Sequence, residues 1–397
     1  MPTTAPGKNT KSDRLIVAGA SVRQFVVGAS QAGIDCLAID LFCDWDTKKS
    51  CETITISKFD DLPELLSRLP RSRFIFPGGL ENHFETLQAA AEYHQLLGPR
   101  PSDVRRSKDV MQLQAVCSTA EIAFPKTILT LPKTADKKWL IKPLSSAGGH
   151  AIEVLGRQKL EHENYLQAFV HGHSYSAVFR SLSHTGDKRQ TTLIGTTEQL
   201  IGEPEFCSRP FAYCGSIGPI SLPAPIQSEL QRMGEIVASE FSLDGIFGID
   251  FIVAADTGNN ELPVLIEINP RVTASCELFE LAGCFKGTAS TVVQQQMATF
   301  DPKIEFDNDF SAKFVWGKAI VFSQWAGEVV VDQRIQRKIF AMNSGDGGIS
   351  VADIPNIGAV IKSGGPIATV YGKDMSAKKV RNRLTDCAHL LRSCFQR

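Results

Sequence analysis

The sequence predicts an α/β protein with three successive parts: an N-terminal domain built on a parallel sheet, a small α+β lid and a larger β-rich lobe. Three observations support this fold class. Apolar strand-like runs alternate with helical segments from Arg14 onward, which is the pattern of a parallel sheet. Short strand-like runs then surround a loop rich in glycine and serine between residues 106 and 171. Longer β-rich runs follow, and two of them carry acids within apolar sequence.

The N-terminal domain begins with a predicted βαβ unit. LIVAGA, SVRQFVVGASQAG and IDCLAIDLF indicate a strand, an amphipathic helix and a second strand. DDLPELLSRL then predicts a helix, SRFIFPGG a strand with a glycine turn, and NHFETLQAAAEYHQLL a long helix. The first loop, GASVRQF, lacks the second and third glycines of G-x-G-x-x-G. The sequence therefore argues against a nicotinamide or flavin cofactor.

The segment LGPRPSDVRRSKD predicts a boundary near Pro101, because two prolines and a polar, basic stretch precede new strand-like runs. From residue 301 onward the sequence predicts strands and turns, followed by a final helix whose apolar residues recur at helical spacing. We therefore divide the chain into a disordered tail (1–13), an α/β domain (14–105), a small lid (106–171), a large lobe (172–300) and a β-rich C-terminal segment with a final helix (301–397).

The composition argues against several classes of partner. The 397 residues include 42 Lys and Arg against 43 Asp and Glu, so the net charge is −1. Nucleic acids and anionic membranes are bound through an excess of clustered basic residues, and we expect neither partner. None of the ten cysteines forms a C-x-x-C pair, which disfavours a metal or redox role. The first thirteen residues contain no apolar segment typical of a signal peptide, and a cytoplasmic protein is expected.

The strongest candidate site lies in DGIFGIDFIV and VLIEINPR, two predicted strands separated by a turn-rich stretch. If they form a hairpin centred on residues 258 and 259, Asp250 lies opposite Glu267, and Asn269 shares a face with Glu267. Two carboxylates and an amide oxygen then converge, which suits a Mg²⁺ ion that takes its remaining ligands from water and phosphates. The alternative is a solvated strand face with incidental acids, although acids in such apolar runs would be costly to bury.

Three basic residues are candidates for holding anions. Arg271 follows Pro270 at the end of the second strand, where a rigid guanidinium can hold a carboxylate or phosphate; a surface salt bridge is the alternative. Lys142 ends the apolar strand WLIK and precedes the loop SSAGGH, whose backbone N–H groups can close over phosphates. The loop alone is a weak signal, since no G-K-[ST] is present. Lys108, at a predicted helix start, is a surface lysine unless the rest of the site is real.

With these residues in place, the chain resembles the ATP-grasp superfamily, and the resemblance covers residues 14–397. Within that superfamily it is most similar to predicted ATP-dependent carboligases related to biotin carboxylase. The similar stretches are PGGLEN at 77–82, TTEQLIG followed by FAYCGSIGP, and GAVIKSGGPIATVYG near the C-terminus. The resemblance implies an ATP-grasp fold, in which a Rossmann-like domain precedes the small lid and the larger lobe.

The resemblance also implies a role for each matching residue. Lys108 and Lys142 would hold the α- and β-phosphates of ATP, and Arg271 would steady the reacting group, so that Arg271 and Lys142 are the catalytic candidates. Mg²⁺ or Mn²⁺ would bind Asp250, Glu267 and Asn269. Further ATP contacts would come from the glycine loop and from the linker between the lobes: Ser145, Ser146, Gly148, Gly149, Gln167, Ala168, Phe169 and Val170. ATP-grasp enzymes often place an acid shortly after this linker to hold the ribose, but here the position is Ser174, so the ribose contact is left open.

The activity that the resemblance implies is that of an ATP-dependent ligase. A substrate carboxylate would attack the γ-phosphorus to give an acyl phosphate and ADP, and an amine or a thiol would then displace phosphate. Similar biotin-dependent carboxylases carry a glutamate four residues after the arginine, whereas this chain has Ser275, which disfavours a bicarbonate-using carboxylase. A non-catalytic ATP-binding regulatory or scaffold protein is the alternative from another class, and the change at Ser174 motivates it.

The substrate is less well determined. The PGGLEN turn follows a predicted parallel strand, and open α/β sheets bind ligands at that end, so Glu81 and Asn82 are candidates for substrate contact. The alternative is a helix start capped by Asn82. Similar proteins occur where tetrahydromethanopterin-linked one-carbon metabolism operates, which implies a role in the synthesis of that cofactor or of methanofuran. The expected partners are ATP, a small carboxylic acid and an amine, and assembly as a homodimer is left open.

Overall fold

The computed structural model describes residues 14–396, apart from 133–137, 146–147, 157–159, 184–188, 207–208, 255–261, 302–306, 309–311 and 345–348. The tail predicted over 1–13 lies outside these residues. The described strands form a five-stranded, a four-stranded and an eight-stranded sheet, besides two short strand pairs. This is the α/β architecture that the sequence predicts. In the described part of the chain, no helix is both long and apolar enough to cross a bilayer.

The N-terminal sheet has the order β3-β2-β1-β4-β5, and its strands run parallel. Its elements are β1 (Leu15–Gly19), α1 (Arg23–Gln31), β2 (Cys36–Asp40), α2 (Trp45–Ser50), β3 (Glu52–Thr55), α3 (Leu62–Arg68), β4 (Arg73–Ile75), α4 (Phe84–Tyr93) and β5 (Gln95–Leu96). The predicted βαβ unit is confirmed. Every residue of β1 and β2 is buried, as expected for parallel strands covered on both faces.

Two predicted elements of this region differ in the structure. The long helix predicted over residues 82–97 ends at Tyr93, and β5 follows it. His94 has extended backbone, and its ring contacts the amide of Ser72 and the carbonyl of Leu66, which stops the helix. The polar segment expected to separate two domains is helix α5 (Pro101–Lys108), because proline is well tolerated in the first turn of a helix.

The four-stranded sheet follows α6 (Val110–Thr119) and has the order β6-β9-β7-β8 with antiparallel pairing. Its strands are β6 (Thr127–Ile128), β7 (Trp139–Pro143), β8 (Glu153–Val154) and β9 (Asn164–Ala168). Trp139, Ile141 and Leu166 form a small core of their own. This sheet lies within residues 106–171, the range predicted for the lid.

The eight-stranded antiparallel sheet has the order β14-β13-β10-β11-β12-β17-β21-β19. Its strands are β10 (Gly172–Leu182), β11 (Gln190–Ile201), β12 (Tyr213–Ile220), β13 (Gly245–Ala254), β14 (Pro263–Asn269), β17 (Val315–Phe322), β19 (Ile349–Ala352) and β21 (Pro366–Asp374). Three strands from beyond residue 300 thus extend the sheet of the large lobe. The remaining elements are α7 (Ala224–Glu240), α8 (Cys276–Leu281), β15 (Phe285–Lys286), α9 (Val292–Ala298), β16 (Asp307–Asn308), β18 (Glu328–Val330), α10 (Gln333–Met342), β20 (Val360–Lys362) and α11 (Ala377–Ser393).

The final helix is confirmed, because α11 buries Val380, Leu384, Cys387 and Leu391 against the large sheet. The sequence analysis missed α10, which lies within residues assigned to strands and turns. Its signals were present: the side chain of Asp332 accepts a hydrogen bond from the Ile335 amide at 2.7 Å, and Ile335 and Ile339 share its buried face.

A buried ion network connects the N-terminal domain to the large sheet. Glu277 of α8 accepts hydrogen bonds from Arg23 of α1 at 2.5 Å, from Lys318 of β17 at 2.8 Å and from Tyr371 of β21 at 2.9 Å. Arg23 also pairs with Asp353 at 2.9 Å. Burial alone would raise the pKa of Glu277, but Arg23 and Lys318 hold that pKa well below its usual range. Three distant parts of the chain therefore meet at one carboxylate.

We expect Glu277→Gln to lower the free energy of unfolding by about 3 kcal/mol, because two buried cations would lose a counter-charge. Urea denaturation at neutral pH measures this loss. A depressed pKa stabilises the fold above the ordinary carboxyl pKa, and this contribution fades as the pH falls toward the folded-state value, so the difference should shrink in strong acid. The exposed pair of Glu64 and Arg68 provides the control, since Glu64→Gln should change stability by less than about 1 kcal/mol. Equal losses for the two variants would contradict the assignment.

Candidate active site

A cleft of about 580 Å³ lies between the four-stranded and the eight-stranded sheets. The small sheet, its loop and the following linker contribute Leu140, Lys142, Gly148, Gly149, Ile152, Gln167, Ala168, Phe169 and Val170 to its lining. The large sheet and the segment after β14 contribute, among others, Ser174, Ser176, Gln199, Tyr213, Ser216, Asp250, Glu267, Asn269, Arg271, Thr273 and Ser275. Most residues predicted to hold ATP and metal thus line a single cleft.

The two acids predicted to bind metal lie on neighbouring strands. Asp250 of β13 pairs with Glu267 of β14, as the hairpin predicts. Past this pair the register shifts, so that Phe251 pairs with Leu265, and the simple hairpin count fails beyond Asp250. The amide nitrogen of Asn269 donates a hydrogen bond to Asp250 Oδ2 at 3.1 Å, which leaves the amide oxygen of Asn269 for a ligand.

Opposing influences act on Asp250. Burial and the neighbouring charge of Glu267 raise the pKa of Asp250, whereas hydrogen bonds with Ser176, Asn269 and Gln199 lower it. A divalent cation between the carboxylates would relieve their repulsion, and two carboxylates with an amide oxygen are a donor set suited to Mg²⁺. The described residues hold no group of three or more His, Cys, Asp or Glu side chains placed to bind a metal. An ion here would therefore need phosphate or water oxygens as further ligands.

The two lysines predicted to hold phosphates lie beside these acids. Lys108 forms an ion pair with Glu267, and Lys142 donates a hydrogen bond to Gln167 Oε1 at 2.7 Å. Burial lowers the pKa of Lys142, and the charges of Glu267 and Asp250 oppose that effect. Of the two lysines, Lys142 lines the cleft and pairs with a neutral amide, whereas Lys108 lies outside the lining and pairs with the carboxylate of Glu267.

Lys108 does not begin a helix as the sequence analysis expects. It is the last residue of α5, and the next helix, α6, starts two residues later. Asp109 separates them because its side chain accepts hydrogen bonds from the amides of Met111 and Gln112, as an N-cap does. The cap fixes the backbone immediately after the lysine.

Arg271 is held by a buried carboxylate from the N-terminal domain. Its Nε donates a hydrogen bond to Glu81 Oε1 at 2.6 Å, and Glu81 Oε2 accepts the amide N–H of Gly79 at 2.6 Å. Burial raises the pKa of Glu81, but Arg271 and Lys108 together lower it below its usual value. A Cβ at Gly78 would lie 3.2 Å from the guanidinium carbon, so the glycine turn fits closely around this side chain.

Glu81 and Asn82, the candidates for substrate contact, do not line the cleft. The side chain of Glu81 is 1% exposed and reaches the cleft only through Arg271. Asn82 ends a short 3₁₀ helix (Leu80–Asn82). The alternative that Asn82 caps a helix is wrong, because His83 precedes α4 and no side chain caps its start.

The glycine loop is packed against the start of β12. The carbonyl of Gly148 accepts the amide N–H of Tyr213 at 2.9 Å. Gly149 has a φ of +70°, and a Cβ there would lie 1.9 Å from the carbonyl oxygen of Phe211, so this position requires glycine. Ser145 is exposed, and Ser146, the other predicted phosphate contact, lies outside the described residues.

The predicted adenine-binding linker continues β9. The amide of Ala168 donates to the carbonyl of Lys126 at 2.9 Å, and that of Phe169 donates to Lys138 at 2.8 Å. Because the amides of Ala168 and Phe169 already donate hydrogen bonds to these carbonyls, Val170 is the better candidate for an adenine contact through a backbone N–H. Ser174, at the predicted ribose position, lines the cleft.

Several polar residues of the cleft were missed by the sequence analysis: Ser176, Gln199, Tyr213, Ser216 and Thr273. Strand pairing explains their convergence, because Ser176 lies opposite Asp250 and Gln199 lies opposite Ser216. The same row continues to Lys318 on the next strand. A sequence shows polar residues alternating in a strand, but it does not show which strands become neighbours.

Comparisons with known proteins agree with this geometry. Residues 108–275 match the family model of the ATP-grasp domain. An uncharacterized protein of Methanocaldococcus jannaschii is 25% identical over 260 residues, which make up 64% of this chain and 55% of that protein. The chain thus spans about half the length of this curated relative.

Solved structures share the fold over almost the whole chain. N5-carboxyaminoimidazole ribonucleotide synthetase from Thermotoga maritima has a TM-score of 0.67 at 12% identity, covering 96% of this chain and 98% of that one. The corresponding synthase from Aspergillus clavatus, solved with ATP, has a TM-score of 0.68 at 12% identity, covering 96% and 98%. The biotin carboxylase domain of the Hydrogenobacter thermophilus 2-oxoglutarate carboxylase, solved with MgADP, ADP and bicarbonate, has a TM-score of 0.67 at 13% identity, covering 94% and 88%. Residues 108–275 thus match the ATP-grasp domain model, and the whole chain shares the fold of these solved structures.

We expect Gly149→Ala to weaken ATP binding roughly tenfold or more, because the added methyl group would collide with Phe211 and lift the loop from β12. Gly148→Ala is the matched control: its φ of +63° is similarly strained, but a Cβ there meets nothing within 4 Å. Isothermal titration with a non-hydrolysable ATP analogue measures both variants. Equal losses would mean that backbone strain, and not packing on Phe211, controls the loop.

Proposed function

We propose that this protein is an ATP-dependent ligase that activates a carboxylic acid as an acyl phosphate and transfers the acyl group to an amine or a thiol. The observation that carries the proposal is the cleft in which Asp250 and Glu267 face each other beside Lys108, Lys142 and Arg271. Carboxylates and cations alternating at one end of a cleft suit a metal-bound triphosphate. The ATP-grasp domain match over 108–275 supports ATP as the nucleotide.

In this proposal the nucleotide lies between the two sheets. The adenine would contact the linker near Val170, and the phosphates would extend toward Lys142 and Lys108 beneath the glycine loop. Lys142 can leave Gln167 for a phosphate at little cost, because it exchanges a neutral partner for a charged one. The ribose would meet the hydroxyl of Ser174, which can hydrogen-bond to it without bringing a charge.

Asp250, Glu267 and Asn269 would hold Mg²⁺ or Mn²⁺, which when bound would neutralise charge on the phosphates. Lys108, Lys142 and Arg271 would neutralise negative charge on other oxygens of the phosphates. Arg271 lines the cleft and Glu81 fixes its orientation, so it could stabilise negative charge on the transferring phosphoryl group or on the later tetrahedral oxyanion.

The proposed reaction has two steps. A carboxylate oxygen of the substrate attacks the γ-phosphorus, and the bond from that phosphorus to the β,γ-bridging oxygen breaks, which releases ADP. The amine nitrogen or thiol sulfur then attacks the acyl carbon, the bond to the phosphate oxygen breaks, and the nucleophile gives its proton to solvent. The small sheet and the glycine loop cover the cleft and would protect the acyl phosphate from water.

A bicarbonate-using carboxylase is the second candidate, because the Hydrogenobacter domain of the same fold was solved with bicarbonate. Ser275 weighs against it, since a hydroxyl is a poor base where similar carboxylases carry a glutamate. The hydroxyl of Ser275 hydrogen-bonds to that of Thr273 at 2.8 Å and lies close to Arg271 in the sequence. We also keep a role in tetrahydromethanopterin or methanofuran synthesis within the proposal, on the strength of the sequence resemblance alone.

Incubation of the pure protein with ATP, Mg²⁺ and pooled small acids and amines tests the proposal. ADP and phosphate should appear only when both an acid and a nucleophile are present. A requirement for bicarbonate would support the carboxylase instead. Tight ATP binding without turnover under any condition would support a regulatory or scaffold role. The replacement of the usual ribose-binding acid by Ser174 would then be a sequence feature of that role.

We expect Glu267→Gln to lower turnover by roughly 100-fold or more while leaving the melting temperature close to that of the wild type, because it weakens a metal ligand at little change in volume. Glu328→Gln is the control, because Glu328 is an exposed residue of β18 that does not line the cleft. This variant should keep the turnover of the wild type. Wild-type rates for Glu267→Gln would refute the metal assignment.

Glu81→Gln tests whether Glu81 positions Arg271. Losing the carboxylate charge should free the guanidinium, so kcat should fall roughly tenfold or more while ATP affinity changes little. Glu85→Gln makes the same change at an exposed position of α4 and should leave both quantities unchanged. A parallel loss of kcat and of thermal stability, without any split between kcat and ATP affinity, would indicate a purely structural role for Glu81.

A further inference from the structure

We propose that Lys108 competes with a divalent cation for Glu267: its ammonium group pairs with Oε1 of that carboxylate, so that the cation binds more tightly together with ATP than before it. This inference rests on the proposed function, since it assumes that ATP and metal share this cleft. It adds to that function the order in which nucleotide and metal bind, and it assigns this order to Lys108.

The geometry holds Lys108 at the metal site. Its Nζ forms an ion pair with Glu267 Oε1, and the lysine side chain is 14% exposed. Lys108 ends α5, and Asp109 caps α6 directly after it. Two helices therefore position the backbone of Lys108 beside Glu267.

The charges of the cleft are balanced without a ligand. Lys108, Lys142 and Arg271 bring three positive charges, and Asp250, Glu267 and Glu81 bring three negative ones. A divalent cation entering alone would add two positive charges and would displace the ammonium group of Lys108 from Glu267. Glu81 is already engaged by Arg271 and by the amide of Gly79.

A nucleotide changes this balance. Its phosphates offer Lys108 a new anionic partner, so the lysine can leave Glu267 at the moment when the metal needs that oxygen. Nucleotide and metal then bind with positive coupling, and each must strengthen the binding of the other by the same factor. Couplings of this kind between sites are commonly of the order of 5–150-fold.

Lys142 provides the matched comparison. It lies near the same two acids, but its Nζ donates to the neutral amide oxygen of Gln167 at 2.7 Å. Removing Lys142 takes away a positive charge without uncovering Glu267. Comparing the Mn²⁺ affinity of Lys108→Met with that of Lys142→Met therefore separates the effect of the ion pair from the effect of losing one positive charge near the cleft.

Electron paramagnetic resonance of Mn²⁺ titrated into the full chain, without nucleotide, tests the inference. The wild type should bind Mn²⁺ weakly, and Lys108→Met should bind it roughly tenfold more tightly or better. Lys142→Met should show a clearly smaller gain. Adding Glu267→Gln to Lys108→Met should remove the gain, which would assign the ion to Glu267. Lys108→Gln replaces Lys108→Met if the latter fails to fold.

The reciprocal measurement uses a non-hydrolysable ATP analogue, titrated with Mn²⁺ and again with a chelator. Mn²⁺ should tighten analogue binding in the wild type more than in Lys108→Met. Wild-type protein that binds Mn²⁺ alone as tightly as Lys108→Met would overturn the role of Lys108 and leave the ATP site intact. Absence of Mn²⁺ binding to Lys108→Met, while analogue and Mn²⁺ still bind together, would also overturn it. If neither variant nor wild type binds the analogue, the proposed function itself fails.

Discussion

The pairing of β13 with β14 is the constraint on which the cleft depends. It sets Asp250 directly opposite Glu267, at the separation of roughly 5 Å typical of side chains facing each other across strands. Two carboxylates this close repel each other, and the repulsion contributes to the raised pKa of Asp250. The pairing is tolerable only because basic residues or a bound cation balance it, which accounts for Lys108 and Lys142 converging on this point from separate elements.

The N-terminal domain holds the segment after β14 at both ends. Glu81 from the glycine turn fixes Arg271, and Arg23 of α1 fixes Glu277. The residues between them include Thr273 and Ser275, which line the cleft. The N-terminal domain contributes no residue to the described lining, but it holds this segment through two buried ion pairs and through the apolar contacts of Val272 and Cys276.

The sequence could predict what depends on neighbouring residues. Apolar runs that contain single acids indicate the strands of Asp250 and Glu267. Their pairing also depends on a register shift between Asp250 and Phe251, which a symmetric hairpin count does not contain. The sequence could not show that Glu81 binds Arg271, because those residues are 190 positions apart. The sequence also predicts that Lys108 begins a helix. In the structure Lys108 ends α5, because the side chain of Asp109 accepts hydrogen bonds from the amides of Met111 and Gln112 and so starts a new helix. Glu81 was read as a substrate ligand for the same reason: the turn was visible, but its partner was not.

The hydroxyl groups at the reactive end limit how protons can be handled there. Thr273 and Ser275 hydrogen-bond to each other at 2.8 Å, and Tyr213 hydrogen-bonds to Ser216 at 2.9 Å. Burial raises the pKa of Tyr213 well above its usual value, so this phenol stays protonated near neutral pH. None of these groups is a base near neutral pH, whereas taking a proton from bicarbonate or from a weak carbon acid requires one. A nucleophile that attacks as a free amine and loses its proton afterwards needs no such base. These four hydroxyl groups therefore supply no general base to the cleft.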